Sequence, residues 1–120
     1  MPTVEEYLAR IGYAGSIEPT TEGLRALHRA HMLTVPFENL DIGLKRGISC
    51  DAESAVRKLV ERRRGGFCYE LNGAFAWLLR ELGFKVSMLS ARVGRSDGSL
   101  GAEFDHLTLK VDFAEPWLAD

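Results

Sequence analysis

The chain is expected to be an α+β protein, a helical bundle followed by the first strands of an antiparallel sheet. Three observations carry that expectation. Apolar residues recur at helical spacing as far as Gly83, and beyond it the period changes to alternation, with Leu107, Leu109, Val111 and Phe113 on one face. Helix-start and helix-stop residues punctuate the first half. At 120 residues, 46% of them apolar, the chain is long enough to bury a core of its own.

Taken in order, Thr3 reads as an N-cap with Glu6 as its capping-box partner, followed by Val4, Tyr7, Leu8 and Ile11 at helical spacing and Gly12 as the stop. A turn-rich stretch leads to a second helix capped by Thr20 or Thr21, with Leu24 and Leu27 inward, which must end before Pro36. Residues 36–41 read as irregular. A third helix begins near Ser49 or Asp51, buries Ala55, Val56, Leu59 and Val60, and finishes in Arg62-Arg63-Arg64, cations that suit the negative end of a helix dipole. The fourth opens around Cys68 and carries Leu71, Phe75, Leu78, Leu79 and Leu82 on one face. Residues 85–93 and 106–113 read as strands around a loop, and Trp117-Leu118-Ala119-Asp120 starts another and stops in mid-pattern, as if truncated. Two units are expected, residues 1–84 and residues 85–120.

Composition narrows the function. Fifteen basic and seventeen acidic residues give a formal charge of −2, which argues against nucleic acid or an anionic membrane as a partner. No apolar run approaches the roughly 20 residues that span a bilayer, and the start of the chain lacks a signal-peptide pattern, so a cytoplasmic location is expected. The two cysteines, Cys50 and Cys68, form no CxxC pair, which argues against a disulfide framework or structural zinc. His28 and His31 share a helix face at i, i+3 spacing but lack a third ligand; they read as polar residues on a helix flank, and no metal is expected.

Cys68 follows Arg64-Gly65-Gly66-Phe67 at the start of a helix, where unpaired N–H groups and the positive dipole end favour a thiolate. The two glycines let backbone approach closely and place N–H groups beside the sulfur, as an oxyanion site requires. On these residues alone Cys68 is a nucleophile or a buried small hydrophobe. His106 points away from the apolar face of its strand and is a base or a solvent-facing histidine. The following hairpin bears on that choice. Burying Leu107 and Leu109 with Trp117 and Ala119 pairs odd residues with odd and puts His106 and Asp120 on one face. A turn centred on Phe113 sets the two directly opposite, with Cβ atoms roughly 5 Å apart, whereas a later turn separates them by several ångströms more.

Pro36-Phe37-Glu38-Asn39-Leu40, Arg64-Gly65-Gly66-Phe67-Cys68-Tyr69-Glu70-Leu71-Asn72, His106-Leu107 and Trp117-Leu118-Ala119-Asp120 together resemble, in order and spacing, the arylamine N-acetyltransferases. The resemblance runs over the whole chain, and an RGGxC segment with Asn72 four residues after the cysteine is its most specific part. It implies Cys68 as the acetyl-accepting nucleophile, His106 as its base, Asp120 as the acid that orients the base, in a cysteine-protease-like arrangement, and Phe37 as an aromatic wall of the acceptor pocket. Arg64 resembles an arginine that ties the active-site loop to the PFENL segment, with Glu38 and Asp41 as its partners, and Asn72 belongs to the same structural support. Family members are considerably longer, with a completed β-barrel and a further α/β domain, and most of their coenzyme A site lies downstream.

The implied reaction is ping-pong transfer of acetyl from acetyl-CoA, a co-substrate, to an arylamine or arylhydrazine. The rival readings are a cysteine hydrolase or transamidase with the same three side chains, and a non-catalytic helical module. An unfinished sheet edge at Trp117 to Asp120 adds an expectation of self-association, and poor turnover is expected of the chain by itself.

Overall fold

The computed structural model describes residues 1–120. Helix α1 (Val4–Arg10) starts as expected, with Thr3 Oγ1 accepting from the Glu6 N–H and the Glu6 carboxylate accepting from the Thr3 N–H at 2.8 Å. Gly12, at φ +68°, turns the chain out of it. Helix α2 (Thr21–Thr34) is capped by Thr20, whose hydroxyl accepts from the Gly23 N–H at 3.0 Å, and stops one residue short of Pro36. The segment expected to be irregular contains a fifth helix, the single turn α3 (Leu40–Gly43). Four residues carry no readable periodicity.

Helix α4 (Ala52–Val60) is capped by Asp51, which accepts from the Ser54 N–H at 2.8 Å. It ends earlier than the arginine run predicts. Arg63 takes a left-handed φ of +52°, so Arg64 leaves the helix axis altogether. Helix α5 (Cys68–Glu81) follows, closed by Gly83 at φ +92°. Strands β1 (Lys85–Ala91), β2 (His106–Asp112) and β3 (Trp117–Ala119) form one antiparallel sheet in the order β1-β2-β3.

The apolar faces of these elements meet in one cluster. Tyr7, Leu24, Leu27, Val56, Leu59, Phe75, Leu78 and Leu79 from the helices join Leu109, Val111 and Ala119 from the sheet. The two sequence units therefore share a core, and α5 is the element between them, packed against α4 on one side and β1 and β2 on the other. Burial of His31, 5% exposed, corrects its reading as a flank residue. Its Nε2 meets the Tyr7 hydroxyl at 2.9 Å and its ring lies against Phe75, so a polar side chain is taken into the core by one hydrogen bond and one aromatic face. Desolvation holds the His31 pKa at about 3. No helix is long and apolar enough to cross a membrane.

Candidate active site

The site is built where three local features converge. Helix α5 begins at Cys68 with no side-chain cap, because Phe67 at the N-cap has no acceptor; the Phe67 N–H is instead satisfied by Glu70 Oε1 at 3.3 Å. Cys68 is buried and Cys50 exposed. Its backbone N–H and that of Tyr69 lie in the first turn, where no intrahelical acceptor exists. The expected role of Gly66 is corrected here. Its N–H is not free beside the sulfur but donates to the Pro36 carbonyl at 3.3 Å, while its own carbonyl accepts from the Glu38 N–H at 2.9 Å. The glycines serve close approach instead: a Cβ on Gly65 would stand 1.8 Å from the Pro36 oxygen, and one on Gly66 2.7 Å from Glu70 Cβ.

That bridge lays the PFENL segment against the loop before Cys68, and a charged cluster locks it there. Arg64 donates to Asp41 Oδ1 at 2.8 Å and to Glu38 Oε2 at 2.8 Å, so the partners expected from sequence are the ones found. Two further residues, Lys58 and Glu70, complete the cluster. Lys58, only 3% exposed, places Nζ 2.7 Å from Glu70 Oε2 and 2.9 Å from Asp41 Oδ2. Burial alone would lower the Lys58 pKa, but hydrogen bonds to Glu70 and Asp41 outweigh it and hold it above the usual lysine value. Hydrogen bonds from Lys58 and then Arg64 hold Asp41 at about 2. One signal was present: Glu70 stands at the N3 position of a helix without a capping side chain, whereas Lys58 falls beside Ala55 at the edge of the apolar stripe of α4.

The opposite wall comes from the sheet. Leu109 pairs with Ala119 and Val111 with Trp117, so odd pairs with odd as the burial argument requires, but the turn centres one residue later than Phe113. Asp120 therefore falls diagonally from His106. The side chains still meet, with His106 Nε2 2.9 Å from Asp120 Oδ1 and 2.7 Å from Oδ2, because diagonal neighbours on a twisted hairpin remain within reach of a long side chain. Asn72 fixes the carboxylate from α5: its Nδ2 donates to Asp120 Oδ1 at 3.0 Å and to the Leu107 carbonyl at 2.7 Å. Both imidazole contacts use Nε2, which leaves Nδ1 for another partner.

Cys68, Asn72, His106 and Asp120 line one cleft of about 310 Å³. Its other wall is apolar, made by Met32, Val35, Pro36, Phe37 and Leu71, with Phe37 67% exposed at the opening. Cys50 lies outside this cleft. Partial loss of hydration, then negative charge on Glu70, Cys68 and Asp51, raises its pKa and works against thiolate there.

A nucleophile-type residue, an imidazole held by a carboxylate and an apolar wall coincide with a sequence match. Residues 20–120 fit the family model described as N-acetyltransferase. The Escherichia coli K12 arylamine N-acetyltransferase is 45% identical over 120 residues, 99% of this chain. The chain belongs to the arylamine N-acetyltransferase family. The match covers 43% of the Escherichia coli protein, so the chain spans less than half the length of that relative. Solved family structures superpose closely. The Salmonella typhimurium arylamine N-acetyltransferase gives a TM-score of 0.91 at 44% identity over 98% of this chain and 43% of that one. The Mycobacterium marinum enzyme in complex with CoA gives 0.88 at 40% identity over 97% and 45%.

Proposed function

We propose that the cleft carries acetyl transfer from acetyl-CoA to an arylamine or arylhydrazine through an acetyl group held on Cys68. The observation that carries this reading is the His106–Asp120 pair at 2.7 Å in a cleft wall shared with Cys68 at the start of α5. Asp120 accepts from Nε2–H, so His106 presents Nδ1 as the basic nitrogen and takes the thiol proton; the resulting thiolate is favoured by the helix dipole. The thiolate attacks the thioester carbonyl, first-turn N–H groups of α5 stabilise the oxyanion, and the CoA sulfur leaves with the proton from His106. The acceptor nitrogen then attacks acetyl-Cys68 and gives its proton to His106, which restores the thiolate–imidazolium pair. Phe37 and the apolar wall seat the aromatic acceptor and limit water, the competing nucleophile. Arg64, Glu38, Asp41 and Asn72 hold the loop and the carboxylate in place. We further expect self-association through the outer edge of β3, checked by sedimentation over a range of concentrations.

Mass spectrometry tests the reading. The chain incubated with acetyl-CoA, and separately with a small activated ester such as p-nitrophenyl acetate, should gain one acetyl group mapping to Cys68. An acetyl group on Cys50 instead, or none from either donor, would return Cys68 to a packing role.

A further inference from the structure

The lead-in to β2 is bent in a way its residues disfavour. Phe104 has a φ of +62°, in the left-handed region where a bulky side chain is out of place, and its ring is exposed to solvent, so packing does not reward the conformation. Two hydrogen bonds to its own peptide groups hold it. Ser90 Oγ in β1 accepts from the Phe104 N–H at 2.7 Å, and the Tyr69 hydroxyl donates to the Phe104 carbonyl at 2.5 Å. Tyr69 is the residue after Cys68, and Phe104 stands two residues before His106. One phenol thus ties the first turn of the cysteine's helix to the segment that delivers the imidazole.

We propose that Tyr69 is a positioning residue: by holding Phe104 left-handed, it sets the approach of His106 to Cys68, with Ser90 supporting it from β1. The proposal rests on Cys68 and His106 being nucleophile and base. Disfavoured backbone of this kind persists only where its surroundings over-determine it. Without the phenol, Phe104 relaxes to negative φ, and the two peptide units between it and His106 reorient. The imidazole is then directed less well into the cleft that it shares with the sulfur.

The experiment is alkylation of Cys68 by iodoacetamide from pH 5 to pH 9 on the full chain, with Cys50 replaced by Ser. The parent should react faster than free glutathione at pH 6, as follows if His106 takes the thiol proton. Tyr69→Phe should slow that reaction about three- to tenfold at pH 6 and leave it unchanged at pH 9, where the thiol ionises without help. Adding Phe104→Gly to Tyr69→Phe should restore much of the pH 6 rate, because glycine adopts this φ at no steric cost. A Tyr69→Phe profile that superimposes on the parent, or a double variant no faster than the single one, would overturn the positioning role while leaving the nucleophile assignment standing. A parent that reacts only above pH 8 would overturn the nucleophile assignment, and the proposal with it.

Discussion

The two sides of Cys68 are held by opposite kinds of electrostatics. Behind α5, Lys58, Glu70 and Asp41 are buried with side-chain exposures of 4%, 4% and 9%, and each charge faces another across less than 3 Å. In front, the His106 and Asp120 side chains are 27% and 48% exposed. The first arrangement is costly to break, since removing one partner strands the rest in a poor solvent for charge. The second contributes little to folding, because water solvates either partner, but it can exchange protons with a ligand. The difference teaches a division of labour: the buried cluster fixes backbone, and the open pair stays accessible to whatever enters the cleft.

Exchanging a residue on each side gives the sharpest test. Lys58→Ala should cost about 3–5 kcal/mol in urea unfolding, since it leaves the Glu70 carboxylate buried without a cation and Asp41 dependent on Arg64. Asp120→Asn should change stability by less than about 1 kcal/mol, yet slow formation of acetyl-Cys68 by about two to four orders of magnitude through loss of the charge that stabilises imidazolium. If Asp120→Asn acylates at the parent rate, Asp120 has no part in the mechanism. Next in size is Gly65→Ala. Its Cβ would overlap the Pro36 carbonyl, forcing the bridge apart at a cost of about 1–3 kcal/mol, and urea midpoints should show it.

Acid separates the buried side further. His31 titrates at about 3 in the folded chain but near its ordinary value when unfolded, so the unfolded state binds the extra proton. Its contribution is fully present above about pH 6.5 and is lost as the pH falls toward 3, at up to about 1.4 kcal/mol per pH unit. Asp41, held at about 2, adds a further loss only below its ordinary carboxylate value. Urea unfolding at pH 7, 6 and 5 should show this slope in the parent and a shallower one in His31→Gln. Salt gives the smallest expected effect. Raising ionic strength from 0.01 to 1 M shrinks the Debye length from about 30 to 3 Å, which should slow Cys68 alkylation at pH 6 by about twofold while leaving the urea midpoint of the buried side nearly unmoved. An equal response of both would remove the contrast.

Legibility in the sequence followed the range of each interaction. The caps at Thr3, Thr20 and Asp51 act over three residues; Thr3 was readable outright, and the other two to within one or two positions, as Thr20 or Thr21 and Ser49 or Asp51. The odd-to-odd pairing of β2 with β3 followed from burial parity alone, but the turn centre did not, because parity is unchanged when the centre moves by one residue. The end of α4 was misjudged for a related reason. Arginines suit a helix end, but here Arg64 is drawn off the axis by Glu38 and Asp41, more than twenty positions away. His31 looked like a flank residue because histidine is more often exposed than buried; only its buried partners, the Tyr7 hydroxyl and the Phe75 ring, reverse it.

The sequence by itself determined four of the five helices and where they start, the change from period 3.6 to period 2, the face shared by His106 and Asp120, and the residues that align with the arylamine N-acetyltransferase family. Tertiary structure alone decided that Asp120 reaches His106 along a diagonal, that Gly66 spends its N–H on Pro36, and that a lysine lies buried beneath the cysteine's helix. The physical reason is the same in each case. Backbone propensity and burial parity are properties of neighbouring residues, whereas the partner of a buried polar group is chosen by whichever distant segment the fold brings within about 3 Å of it.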